Sequence, residues 1–248
     1  MKNYKILQIT LALILMTKAA YAIDLQPGEV AAPKPNINIM QLSYIYSERG
    51  DRYIHGHEQS GNPKIQSSTY IVRLGHSFEV AEMPAFFYVQ TPMGATQTKG
   101  IEIPGVKTDG DSGLGDTSLA FAVWPYSNRE TKTYFGLAGY AVLPTGSYDH
   151  NRLFNMGENR YKTALQAGYQ KQVADSVSWM MAVDGLFYGD NHDYLPTKSD
   201  LKQDNLYTLQ TGLKYDFNPQ YSVMGTYFYS VGGQTEVDGV NKHDLTQL

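Results

Sequence analysis

The sequence predicts an all-β fold, an antiparallel transmembrane β-barrel of outer-membrane type. Apolar and polar residues alternate along nine long segments, which is typical of strands with one apolar and one polar face. The connections between these segments are short and long in turn, as in barrels with periplasmic turns and longer extracellular loops. Tyr and Phe residues gather near the segment ends, where the interfacial girdles of such barrels lie.

Composition agrees with this prediction. Of the 248 residues, 42% are hydrophobic, 18% are charged and 20 are Tyr. No apolar run reaches the roughly 20 residues of a membrane helix, and disordered chains have few aromatic residues. Cysteine is absent, which excludes disulfides, thiolate metal sites and a lipoprotein anchor. The net charge of -4, without a Lys/Arg cluster, argues against a nucleic-acid partner.

The N-terminal residues predict export. Lys2 and Lys5 precede an apolar run over residues 6–16, and Ala20-Tyr21-Ala22 matches the small-x-small cleavage pattern. We therefore divide the chain into a signal peptide (1–22), an irregular leader (23–35) and the barrel (36–248). N-terminal sequencing of outer-membrane material is expected to begin at Ile23.

The barrel segments come in a regular order. The predicted strands are 36–48, 66–78, 83–91, 115–126, 131–143, 160–173, 177–188, 205–217 and 220–231, with a tenth beginning near 243. Tilted membrane strands need about 9–11 residues. In 205–217, for example, Leu209, Leu213 and Phe217 share one face and Gln210 and Lys214 the other.

The connections complete the pattern. The short ones are 79–82, 127–130, 174–176 and 218–219, and the long ones are 49–65, 92–114, 144–159, 189–204 and 232–242. We expect the short set in the periplasm and the long set outside the cell. Bacterial single-chain barrels close with an even number of strands, so the sequence predicts a chain truncated at its C-terminus after about 9–10 strands, with a gap beside the first strand.

Three motifs carry a resemblance to a known family. They are Ser112-Gly113-Leu114-Gly115-Asp116-Thr117, Leu143-Pro144-Thr145-Gly146-Ser147-Tyr148-Asp149, and Met156-Gly157-Glu158-Asn159-Arg160 followed by Ala167-Gly168-Tyr169. This series resembles the family of outer-membrane proteins linked to the meta-pathway of phenol degradation, over roughly residues 37–248. The resemblance implies a transporter-like barrel for aromatic or other hydrophobic compounds, closed by about twelve strands.

The polar faces supply candidates for the lining of a pore. They are Arg73, Lys162, Gln166, Gln170, Asp184, Gln210, Lys214 and Asp216. Charges of this kind are costly on a lipid-facing surface, so we expect them to point inward. They would either set the field of a channel or pair with one another and close the lumen.

Aromatic residues on the same faces form a second group of candidates. They are Trp124, Tyr134, Tyr140 and Phe228, together with Phe86 and Tyr88, and the apolar Met224 lies on the same faces. An aromatic lumen could bind a hydrophobic solute, and ordinary packing of the barrel interior is the alternative.

Other chemistry has little support in the sequence. His55-Gly56-His57-Glu58 has no spaced partner pair for a metal, and the segment starting at Asp109 lacks the glutamate that a calcium loop would need at Ala120. No nucleophile motif accompanies any histidine. We predict no cofactor, no metal and no catalytic residue.

The leading hypothesis is a non-enzymatic channel in the outer membrane, in contact with outer-membrane lipid and lipopolysaccharide and open to small hydrophobic or aromatic solutes. A non-conducting barrel whose long loops bind a surface partner is the first alternative. A lipid hydrolase built on a barrel is the second.

Overall fold

A computed structural model describes residues 29–50, 53–54, 57–58, 64–218 and 220–241. The described chain contains sixteen β-strands: β1 (Asn38–Arg49), β2 (Tyr53–Ile54), β3 (His57–Glu58), β4 (Lys64–Val80), β5 (Met83–Lys99), β6 (Gly110–Leu114), β7 (Thr117–Asn128), β8 (Thr133–Leu143), β9 (Lys162–Ala174), β10 (Val177–Tyr188), β11 (Asn191–Tyr194), β12 (Ser199–Gln203), β13 (Leu206–Asn218), β14 (Tyr221–Gly232), β15 (Thr235–Val237) and β16 (Val240–Asn241). No helix in this part of the chain is long and apolar enough to cross a membrane.

One curved antiparallel sheet dominates the molecule. Its order is β1-β4-β5-β7-β8-β9-β10-β13-β14. The short strand β6 pairs with the same edge of β5 as β7, farther along that strand. The nine long strands lie in the sheet in the same order as along the chain, so the sheet is a meander. The prediction of an all-β antiparallel fold with nine long strands is confirmed.

The two outermost strands, β1 and β14, do not pair with each other among the described residues. Within the described part of the chain, the sheet is open beside the first strand, as predicted. The predicted tenth strand, near residue 243, lies outside the described residues, as do the signal peptide and His55.

The strand register keeps side chains of one face together across the sheet. In the pair β10–β13, Asp184 lies opposite Thr208 and Val183 opposite Leu209. In the pair β4–β5, Arg73 lies opposite Gln90. Since successive side chains point to opposite sides of a strand, this register gives the sheet one continuous concave face and one continuous convex face.

The hairpins at the short-turn end are tight. Val80 pairs with Met83, and Ala81 and Glu82 between them have φ values of 48° and 65°. Two consecutive left-handed residues are typical of the type I′ turn, whose twist matches that of the flanking strands.

The long connections differ from the sequence prediction, because several of them contain strands. β5 continues to Lys99 and pairs with β4 as far as Lys64 and with β6 at 110–114, so much of 92–114 extends the sheet. Residues from 189–204 and 232–242 form a separate sheet of order β11-β12-β15-β16. These connections are therefore folded structures rather than open loops.

Candidate channel face

The concave face carries the polar side chains that the sequence placed inside. Along β10, Ser178, Ala182 and Asp184 are buried, whereas Met181 and Val183 are exposed. Along β13, Thr208 and Gln210 are buried, whereas Leu209 and Leu213 are exposed. Exposed apolar residues therefore cover the convex face, as on a wall that contacts lipid.

All eight predicted polar candidates lie on the concave face by the register of their strands. They are Arg73, Lys162, Gln166, Gln170, Asp184, Gln210, Lys214 and Asp216. Gln166, Gln170, Asp184 and Gln210 are buried.

Several of these candidates form local pairs with one another. Lys214 Nζ lies 2.7 Å from Asp216 Oδ1 on the same strand. Gln210 Nε2 donates to Asp184 Oδ2 at 3.2 Å on the neighbouring strand. Both contacts join residues of one strand or of neighbouring strands, so they fix these side chains against the concave face.

A charged cluster lies where β9 begins, at the long-loop end. Lys162 Nζ and Arg160 Nη2 both lie 2.6 Å from the Glu158 carboxylate, and the Arg160 guanidinium stacks over the Tyr188 ring at 4.8 Å. Burial raises the pKa of Glu158, but the positive charges of Lys162 and Arg160 outweigh that effect and leave it lowered. The cluster thus places a fixed ion-pair network at one end of the concave face.

The predicted aromatic candidates lie on the same concave face. Trp124 and Tyr134 are buried beside Ala32, with Phe86 packed against them, and Tyr140 donates from its hydroxyl to Gln166 Oε1 at 3.0 Å. Phe228 lies opposite Gln210 on the edge strand β14 and is 39% exposed. Trp124, Tyr134 and Phe86 therefore form an aromatic cluster on the concave face, whereas Phe228 lies apart from it on the edge strand.

Residues 29–35, which we call the inner segment, cross this concave face. The Trp124 indole Nε1 donates to the Val30 carbonyl at 2.7 Å, and Arg129 Nη2 donates to the Pro33 carbonyl at 2.8 Å. Ser77 Oγ donates to the Lys34 carbonyl at 2.6 Å. Donors from β4, from β7 and from the turn after β7 thus pair three carbonyls of this irregular segment, which lowers the cost of placing its backbone inside the sheet.

An ion pair and two apolar contacts complete the attachment of the inner segment. Arg73 Nη1 lies 2.8 Å from Glu29 Oε1. Val30 packs against Met180 and Ala182, and Ala32 packs against Trp124 and Tyr134.

Small residues on the wall make room for the inner segment. They lie at inward positions of neighbouring strands: Ala122, Gly136, Ala138, Gly168 and Ala182. A Cβ atom at Gly168 would lie 3.4 Å from Val30 Cγ1, and one at Gly136 would lie 2.9 Å from the Trp124 indole nitrogen. The position of the leader inside the sheet was not predicted, although the small residues at inward positions of four neighbouring strands were a signal for it.

A cavity of about 380 Å³ lies between the inner segment and the wall. Its lining includes Glu29, Arg73, Tyr88, Trp124 and Tyr140. The Arg73 guanidinium lies 4.4 Å from the centre of the Tyr88 ring, and its Nε donates to Gln90 Oε1 at 2.9 Å. The cavity therefore combines aromatic walls with one arginine.

The motif residues that carried the resemblance meet at the long-loop end. The Asp116 carboxylate accepts hydrogen bonds from the Gly146 amide at 2.9 Å and from the Glu158 amide at 2.8 Å. Gly157 and Gly146 lie in contact there, since a Cβ at Gly157 would lie 2.9 Å from the Gly146 backbone. The three motifs thus form one junction that joins two long connections.

The weak metal candidates have other partners where they are described. Asp109 and Asp111 both face Arg152, with the Asp109 carboxylate 2.8 Å from Arg152 Nη1. The described residues hold no group of three or more His, Asp or Glu that could bind a metal ion. His76 lies on the convex face and contacts Asn38 through Nδ1 at 2.8 Å.

Comparisons with known proteins agree with this architecture. A family model described as "Putative MetA-pathway of phenol degradation" matches residues 49–247. The crystal structure of an outer membrane channel from Pseudomonas putida F1 is similar, with a TM-score of 0.80 and 27% sequence identity, over 89% of this chain and 82% of the channel. No curated protein sequence matches.

Proposed function

The chain belongs to the family of the meta-pathway of phenol degradation, and from this premise we propose that it is a non-enzymatic channel for small aromatic or other hydrophobic solutes in the outer membrane. The similar Pseudomonas structure is an outer membrane channel, which supports the general role. The observation that supports the solute class is the cavity with Phe86, Tyr88, Trp124 and Tyr140 in its lining.

The two faces of the sheet suit this role. The convex face presents Leu42, Leu165, Leu213 and Tyr227, each more than half exposed, and such residues are favourable against hydrocarbon. The concave face combines paired charges, amides and aromatic rings. Solutes with an apolar ring and a polar group would find partners for both parts along this face.

Closure of the sheet is part of the proposal. An unpaired strand edge in hydrocarbon costs several kcal/mol for each peptide group. The edges formed by β1 and β14 are therefore paired when the protein conducts in a membrane.

Planar bilayers test the proposal. Protein purified from outer membranes is expected to give discrete current steps, and phenol on one side should reduce the current more than an equal concentration of glycerol. Absence of any steps would contradict the channel role and favour a closed barrel that presents its loops to a partner. Steps that respond equally to both solutes would contradict the aromatic preference.

A further inference from the structure

The cavity beneath the inner segment holds a cation that is already paired with a carboxylate. Glu29 is the residue that supplies this carboxylate, and its side chain and that of Arg73 are 32% and 19% exposed. A guanidinium in such a partly buried place needs an anionic partner, because an unpaired charge there is costly.

Aromatic rings surround this ion pair. Tyr88 lies under the guanidinium at 4.4 Å, and the Phe86 and Tyr88 ring centroids are 5.9 Å apart. The Trp124 and Tyr140 side chains line the same cavity. At about 380 Å³, the cavity is at the small end of the range of about 300–1,000 Å³ for ligand sites, which suits a single-ring compound.

Resting on the proposed channel function, we propose that this cavity binds aromatic carboxylates, whose carboxylate replaces Glu29 on Arg73. The planar guanidinium fork matches a carboxylate through two parallel N–H bonds. The exchange leaves Arg73 paired throughout, since one carboxylate takes the place of another. A neutral aromatic alcohol has no charge to offer and leaves the Arg73–Glu29 pair intact.

The exchange also releases one attachment of the inner segment. Other attachments among the described residues include the hydrogen bonds to the Val30, Pro33 and Lys34 carbonyls and the packing of Val30 and Ala32. Occupation of the cavity by a carboxylate therefore loosens the segment at Glu29.

Tryptophan fluorescence provides a direct test. The chain has two tryptophans. Trp124 lines the cavity, whereas Trp179 lies on the convex face beside Tyr169, so Trp179→Phe leaves one reporter at the site. Benzoate is expected to change the emission of Trp124 in a saturable way, with at least tenfold higher affinity than benzyl alcohol.

Substitutions separate the two carboxylates. Glu29→Gln removes the internal competitor, which acts at the high effective concentration of a short tether, and should tighten benzoate binding about tenfold. Arg73→Gln should abolish binding, and Arg73→Lys should weaken it while keeping the charge. Lys107→Gln, a change to a cation in the long-loop region, should leave benzoate affinity unchanged.

The outcomes decide between the proposals. Equal affinity for benzoate and benzyl alcohol, or weaker benzoate binding in Glu29→Gln, would overturn the carboxylate site. Should Arg73→Gln fail to fold, Glu29→Gln still decides, because it leaves Arg73 and the wall unchanged. Current steps in bilayers without any benzoate response would remove this inference alone, whereas benzoate binding without current would remove the channel role and leave the site.

Discussion

At the scale of single residues, Leu213 and Lys214 are sequence neighbours on opposite faces of β13. Leu213 is 56% exposed on the convex face, and Lys214 pairs with Asp216 on the concave face. We expect Leu213→Arg to impair membrane assembly, because an arginine at the lipid-facing midplane costs about 2–4 kcal/mol. Lys214→Gln is the matched control and should assemble normally. Equal yields of heat-modifiable, folded protein from the two variants would contradict the face assignment.

Trp124 has a specific role in holding the inner segment. Its indole N–H donates to the Val30 carbonyl in a buried position, and loss of that donor would leave the carbonyl unsatisfied at a cost of about 1–3 kcal/mol. We expect Trp124→Phe to lower thermal stability and to make residues 29–35 sensitive to protease.

The control for Trp124 is the second tryptophan. Trp179 also donates from its indole nitrogen, to Thr211 Oγ1 at 3.0 Å, but it lies on the convex face. Trp179→Phe should leave the inner segment protected. The same protease sensitivity in both variants would show that Trp124 does not hold the segment.

The alternation of the sequence agrees with the faces that the strand register gives to these residues. The alternation in 205–217 placed Gln210 and Lys214 inside and Leu209 and Leu213 outside, because a period of two is a local property of the strand. The pairing of Arg73 with Glu29 was not predicted. Those two residues lie 44 positions apart, and no local pattern connects them.

At the scale of elements, the fit between the inner segment and the wall depends on glycine. Gly168 lies on the concave face against Val30, whereas Gly139 lies on the convex face. Among the described residues, the nearest atom to a Cβ built at Gly139 is Leu165 Cδ2, at 3.8 Å. We expect Gly168→Leu to displace the inner segment and Gly139→Leu to leave it in place.

A single cysteine reports the displacement in this cysteine-free protein. Ala32 is buried, so Ala32→Cys should react slowly with a maleimide reagent. Reaction should become at least tenfold faster when Gly168→Leu is added. Unchanged reactivity in the Gly168→Leu background would argue against contact between the segment and this wall.

The long connections are joined by ion pairs that depend on pH. Hydrogen bonds from Lys107 and from the Asn151 backbone amide hold the pKa of Asp149 well below its ordinary value of 3.8. A lowered pKa in the folded state means that the contact stabilises the loops at pH values above 3.8 and is lost as the pH falls through the folded-state pKa.

Carboxyl NMR checks this contact directly. Asp149 should titrate below pH 3.8 in the folded protein, and Lys107→Gln should raise its pKa toward that value. Lys198→Gln, which removes a different loop cation, should have no effect on Asp149. A pKa of 3.8 or higher for Asp149 in the unmodified protein would contradict the pairing of the two loops.

The separate sheet of β11, β12, β15 and β16 could not be predicted from the sequence. β12 pairs with β15 through Leu201 and Val237, which come from two separate connections. Each segment has five or fewer residues, too few for a recognisable alternation. The two strands meet only because the folded sheet brings their connections together at its rim. Local sequence patterns therefore could not predict their pairing.

At the scale of the whole molecule, the meander order of the sheet follows from the sequence. Short turns join consecutive strands at one end and force antiparallel neighbours, and long connections do the same at the other end. The path of residues 29–35 could not be predicted from this pattern of turns and connections. That path depends on donors from Ser77, Trp124 and Arg129, which come together only after the sheet has curved.

The central claim is that the concave face is an aqueous lumen and the convex face contacts lipid. Three neighbouring pairs test it through single cysteines: Gln41 and Leu42, Lys214 and Leu213, and Met224 and Val223. Within each pair the first residue lies on the concave face and the second on the convex face.

The measurement is the labelling rate of each cysteine variant by a charged, membrane-impermeant maleimide in native outer membranes. The account predicts faster labelling at 41, 214 and 224 than at 42, 213 and 223, by about tenfold or more, because thiolates form in water and not in hydrocarbon. Equal rates within the pairs, or faster labelling at the convex positions, would contradict it.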